Sequence, residues 1–226
     1  MSLDIEYIPE RHVGRWVALA IFILILAAGG WFVYSWYTSG NLPISIPVAS
    51  ANGAVSEVDV SYNDVKSYEA GSNQPRYISI PALSLGKTRI YPVGLNSNNL
   101  VEDASNIHDV TWYTKSTAPG DGGVVLINGH NKGINKNGAF YNLSTLSSSD
   151  KISIERGDGK SLVYDVVDVQ TISLDEFNSK GLALLGTSAS QSKEGLNLVT
   201  FDGKWVPRLG TFDQRTIVRA VIDDSK

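Results

Sequence analysis

The chain's imidazoles are His12, His108 and His130, and its 226 residues include no cysteine. Thiol nucleophiles, disulfides and zinc–thiolate sites are therefore excluded. No two of the histidines stand at metal-ligand spacing, so no metal is expected, and no motif asks for a cofactor. His130 follows the apolar run Val124-Val125-Leu126-Ile127, in Asn128-Gly129-His130-Asn131. An imidazole at that point could move protons near neutral pH. Arg215 opens a second strand-like run, RTIVRAVI, where a guanidinium could hold an anion. Between them lies Leu198-Val199-Thr200-Phe201, ending on a ring with neither a lone pair nor a titratable proton. Taken singly, each has a plainer reading. His130 would be a structural residue at a strand end, Arg215 a solvated strand residue, and Phe201 a core aromatic. His108, in Asn106-Ile107-His108-Asp109, reads as surface.

The elements that must hold these residues are strands. RYISIPAL (76–83), TRIYPVGL (88–95), GGVVLING (122–129), DKISIERGDG (150–159), SLVYDVVDVQTI (161–172), LNLVTF (196–201) and QRTIVRAVI (214–222) are rich in β-branched and aromatic residues and bounded by Gly, Asn, Asp and Pro. Asp158-Gly159 is a hairpin turn signal. Two helical pieces are expected, at 137–146 and at 173–186, the second opened by a Ser173/Glu176 capping box. Seven to eight strands with short helices predict a mainly β, closed or nearly closed barrel.

Ahead of the barrel, Trp16 to Tyr37 run for 22 residues without a charge, with aromatic residues at both ends. About 20 apolar residues cross a bilayer as a helix, and Trp and Tyr favour its interfaces. Arg11 and Arg15 precede this run, and the next basic residue is Lys66. The positive-inside rule then predicts a signal-anchor with a cytoplasmic N-terminus and an extracytoplasmic C-terminal domain, so that the protein sits in the cell membrane. The expected organisation is a cytoplasmic tail (1–15), a transmembrane helix (16–37), a stalk (38–74) and a β-barrel domain (75–226). Within the stalk, Val58 to Tyr62 alternate as a short strand would. The Ser-rich segment TSASQSKEG (187–195) is expected to be mobile. The formal charge of −4 leaves no basic footprint for a nucleic acid.

The order IPAL (80–83), WYTKSTAPGDGGVVLINGHN (112–131), GAFYNL (138–143), LNLVTF and QRTIVRAVI, behind an N-terminal anchor, resembles the sortases, membrane-anchored cysteine transpeptidases of the bacterial envelope. The resemblance covers 75–226, and the Pro-Gly-Asp turn ahead of Gly-His is most similar to the smaller class D, E or F members. It implies that His130 is the family histidine and Arg215 the family arginine. The family cysteine, which ends a Leu-x-x-Thr-Cys strand, falls on Phe201. Val199 and Thr200, leading to that position, are expected to bind substrate, and the connection 171–195 to line the groove. The implied partners are sorting-signal peptides of Leu-Pro-x-Thr-Gly type, or envelope proteins such as pilins.

Phe201 is the departure. Acyl transfer needs a nucleophile, a proton shuttle and a group that holds the oxyanion. Losing a protease nucleophile costs on the order of a million-fold in turnover. Three functions follow. The missing nucleophile favours a pseudo-sortase that binds peptides or proteins. The alternatives are an active transpeptidase, with another nucleophile or a sequence difference at Phe201, and a structural envelope domain whose groove the ring has closed.

Overall fold

Apolar side chains at every second position give each strand one face for a core, and eight such strands close on themselves. The computed structural model describes residues 13–39, 55–96 and 101–224. The strands are β1 (Pro75–Ile80), β2 (Leu85–Val93), β3 (Val110–Tyr113), β4 (Val124–Gly129), β5 (Lys151–Arg156), β6 (Ser161–Ser173), β7 (Gly195–Val206) and β8 (Thr211–Ile222). They form a closed barrel in the order β1-β2-β3-β4-β7-β8-β6-β5. The β2/β3 and β4/β7 pairs are parallel; the other pairs are antiparallel.

Alternation sorts the side chains into two clusters. Val125, Ile127, Leu196, Leu198 and Val218 point into the barrel core. Leu126, Val199 and Ile217, one residue out of phase, lie on the outer face. The connection from β6 to β7 contributes Leu185, with Phe177 and Leu184, to that outer cluster. This connection is helical as expected: α3 (Leu174–Glu176), a π-helical turn (Phe177–Gly181) and α4 (Leu182–Gly186). Ser173 Oγ accepts from Glu176 N at 3.2 Å, the one half of the capping box that forms. Glu176 pairs with Lys180 at 2.5 Å instead. Gly181 is required by packing, since a Cβ there would fall 2.5 Å from the Phe177 ring.

Three local expectations are corrected. The piece at 137–146 forms only a 3-10 turn, Leu143–Thr145, because Phe140 and Leu143 are drawn completely into the core. Val58 to Tyr62 are not a strand. Ser61 instead caps α2 (Tyr62–Ser67) through a capping box with Asp64, a local bond set that outcompetes weak alternation. Residues 56–74, expected within the stalk, pack with the barrel. Tyr68 donates to Ile90 O, Tyr77 donates to Val65 O, and Arg76 Nε donates to Tyr68 O at 2.7 Å.

A separate unit contains α1 (Val13–Ser39), an uninterrupted helix of 27 residues that includes the whole charge-free run. Its described side chains are exposed. Among the described residues, no helix is long and apolar enough to cross a membrane. Residues 1–12 and 40–54, which carry the expected tail and most of the expected linker, lie outside the described residues.

Candidate functional site

Three neighbouring strands bring His130, Phe201 and Arg215 into one row. Phe201 of β7 stands directly opposite Arg215 of β8. The parallel register of β4 on β7 runs from Val124↔Gly195 to Asn128↔Val199. Continued by two residues, it sets His130 level with Phe201. Thr200 Oγ1 donates to Gly129 O at 2.7 Å and secures that end of the pair. Adjacent strands lie about 5 Å apart, so the backbones of His130 and Arg215 are roughly 10 Å apart. Side chains alternate, and all three residues are in phase with Leu126, Val199 and Ile217 on the outer face.

His130 is held by its ring. Nε2 lies 2.8 Å from Ala104 O, and since a carbonyl only accepts, Nε2 carries the hydrogen. Nδ1 is left as the nitrogen that can take or give a proton. Arg215 is 7% exposed, and among the described residues no carboxylate lies within ion-pair distance of it. Its Nη1 donates to Phe212 O at 2.9 Å and to Gln214 O at 2.7 Å, and its Nη2 to Thr211 Oγ1 at 2.9 Å. Burial pushes its pKa down, while Asp103 pulls the other way. What faces the cation is aromatic. The guanidinium carbon sits 4.2 Å from the Phe201 ring centroid and 5.6 Å from that of Phe177. The negative face of a ring compensates a desolvated cation by about 0.5–2 kcal/mol. Phe201 therefore supports the buried Arg215.

The two expected substrate residues are placed differently. Val199 is buried on the outer face, under the helical connection. Thr200 points the other way, is 1% exposed, and spends its hydroxyl hydrogen on Gly129 O, so its side chain does not reach the groove face. Strand alternation forces this, since neighbours of Phe201 cannot share its face. Asp202 is committed as well: it accepts from Thr216 Oγ1 (2.6 Å), Gly203 N (2.7 Å) and Asn131 Nδ2 (3.1 Å). His108, read as surface, lies 3.3 Å from Asp59 with its side chain 29% exposed. The segment expected to be mobile is tied down: Thr187 O accepts from Asn197 Nδ2 at 3.1 Å, and Ser188 Oγ donates to Lys193 O at 2.8 Å.

Sequence reasoning missed three residues. Phe177 completes the aromatic environment of Arg215. Glu57 reaches the loop behind His130. Glu194, 8% exposed, gathers Gly120 N (3.0 Å), Gly122 N (2.7 Å) and the Tyr164 hydroxyl (2.5 Å). Glycine-rich Pro119 to Gly123 was a signal for clustered backbone N–H groups, but nothing local pointed to an acid more than 70 residues away. Among the described residues, no group of three or more His, Asp or Glu side chains could hold a metal ion.

The fold is thus a closed eight-stranded barrel with two parallel pairs, and His130, Phe201 and Arg215 lie beside its β4/β7 seam. A family model described as Sortase domain matches residues 78–223, and the chain belongs to the sortase family. Among solved structures, it is similar to the pilus-related sortase C of Group B Streptococcus, with 19% identity, 77% of this chain and 81% of that chain covered, and a TM-score of 0.49. It is also similar to sortase C-3 from Streptococcus pneumoniae, with 20% identity, 75% and 70% coverage and a TM-score of 0.48. Sortase C-1 from Actinomyces oris follows, with 21% identity, 65% and 72% coverage and a TM-score of 0.46. Likeness at this level does not distinguish classes within the family. No curated protein matches the chain.

Proposed function

We propose that this protein is a membrane-anchored sortase relative that binds sorting-signal peptides or envelope proteins without transferring them. The single observation that carries the reading is Phe201 in the row between His130 and Arg215, with its ring against the guanidinium. In the family's chemistry a thiolate in that place attacks the peptide carbonyl. Here no group is available to do so. The Thr200 hydroxyl faces inward and Asp202 is fully bonded, so neither favours an altered nucleophile. His130 and Arg215 keep their family positions and can still bind a peptide's polar backbone.

The test uses the purified full chain in lipid nanodiscs, titrated with Leu-Pro-x-Thr-Gly-type peptides with and without an amine acceptor. Binding without cleavage is expected, weakened about fivefold or more by Arg215→Ala, as loss of a charged hydrogen-bonding partner implies. Cleavage that survives alkylating reagents would overturn the reading. Absence of binding across a wide peptide library would favour a closed, structural domain.

The anchor belongs to the same proposal. Residues 16–37 cross the membrane, 1–15 stay in the cytoplasm, and the barrel lies outside. The charge-free run from Trp16 to Tyr37 with its aromatic ends supports this, together with Arg11 and Arg15 ahead of it. Because the chain has no native cysteine, Ser72→Cys provides a unique exposed thiol. In intact cells it should react fully with a membrane-impermeant maleimide. Protection would place the domain on the other side.

A further inference from the structure

Two consecutive residues ahead of the barrel grip both supports of His130. Ser56 pairs with the segment that carries Ala104: Ser56 N donates to Ser105 O, and Ile107 N donates to Ser56 O, each at 2.8 Å. Ala104 O is the acceptor of the His130 ring. Glu57 grips the loop that follows His130. Its carboxylate accepts from Ile134 N at 2.5 Å and from Asn135 N at 3.1 Å. Gly133 makes room for this, because a Cβ there would overlap Glu57 Oε1 and fall 2.7 Å from Ile107 Cδ1. Asp59 adds an ion pair to Lys136 of the same loop, at 2.7 Å. The loop itself returns onto His130, with Gly138 N on Asn131 O (2.7 Å) and Phe140 N on His130 O (2.9 Å).

We infer that Glu57 is a positioning residue for His130, and that residues 56–59 form a strap fixing the imidazole's tautomer and orientation. Ser56 lies 17 residues beyond Ser39, where α1 ends. Anything that pulls this segment off the barrel frees both the Ala104 carbonyl segment and the His130 loop. The inference concerns how His130 is held, and it does not depend on what the site binds.

The experiment reads the imidazole directly. In the full chain labelled with ¹⁵N-histidine, the His130 signals, assigned by their loss in His130→Ala, should report the neutral ring as one tautomer with hydrogen on Nε2. Glu57→Ala should convert them to a mixture of both tautomers and speed amide exchange at Ile134 and Asn135 about tenfold or more, the loss of one hydrogen bond of about 1.4 kcal/mol. Gly133→Ala, which displaces the carboxylate from the other side, should do the same. Glu57→Gln keeps a carbonyl oxygen for one amide and should retain a majority of the parent tautomer, which guards against a variant that simply unfolds. Val167→Ala, at an exposed position of β6, should leave both readouts unchanged. A single parent tautomer in Glu57→Ala with faster loop exchange would reduce Glu57 to a loop clamp and overturn the proposal. Unchanged exchange at Ile134 and Asn135 would overturn it too.

Discussion

Phe201→Cys is expected to give this protein thiol-dependent cleavage of a sorting-signal peptide, on the order of a thousand-fold or more above the unaltered chain. The variant places a sulfur in the row between His130 and Arg215. Its thiolate would attack the scissile carbonyl carbon, the carbon–nitrogen bond would break, and His130 Nδ1 would give its proton to the leaving amine. Arg215 could hold the oxyanion once the ring no longer covers it. The gain has a structural cost. Removing the ring takes away the nearest aromatic partner of a buried cation and leaves a partial cavity, together about 1–3 kcal/mol. A lower Tm should therefore accompany the new activity. The assay is release of a fluorogenic Leu-Pro-x-Thr-Gly peptide before and after iodoacetamide, which should abolish it. A variant that stays silent over a wide peptide library would show a groove closed by more than Phe201.

Glu194→Ala is expected to lower stability by about 3 kcal/mol, which for a domain of this size is a fall in Tm of roughly 6–12 °C. The carboxylate joins two backbone N–H groups of the turn before β4 to the hydroxyl of Tyr164, which is completely buried. Burial, then the bond to Glu194, pushes the Tyr164 pKa up, so the phenol stays a donor. Truncation strands the buried Tyr164 hydroxyl in the interior and frees the exposed turn N–H groups from their acceptor. The location magnifies the consequence. β4 and β7 are parallel, and no hairpin sets their register; Glu194 and the bond from Gly195 N to Gly123 O (2.8 Å) fix it at the start. At the far end, that register sets His130 beside Phe201. Glu194→Gln should lose about half as much, since one acceptor oxygen remains. Thermal unfolding by circular dichroism measures both, and a Glu194→Ala shift under about 2 °C would remove the staple from this account.

Much of this molecule was legible because its signals are local. Alternation marked seven of the strands and predicted a closed barrel of seven to eight; the structure has eight, and β3 (Val110–Tyr113), a four-residue strand, lay outside the marked runs. Ser173 announced the helical cover. Thr200, expected to bind substrate, instead spends its hydroxyl hydrogen on Gly129 O, because strand alternation turns it away from Phe201. The order of motifs indicated the family, because chain order is what a sequence records.

Other features needed the fold. That His130, Phe201 and Arg215 form one row depends on a parallel register between segments 71 residues apart. Arg215 turns its donors onto Phe212, Gln214 and Thr211 and its face onto Phe201, an outcome of burial with no carboxylate at ion-pair distance among the described residues. Glu57 and Glu194 read as ordinary surface acids until the chain brought each to a cluster of backbone N–H groups. The sequence by itself determined seven of the eight strands, the helix at 13–39 in outline, the family and the absence of a thiol, since these follow from residue type and short-range period. Only the tertiary structure decided which side chains meet, because an exposed charge and a buried staple carry the same letters, and desolvation by distant segments is what separates them.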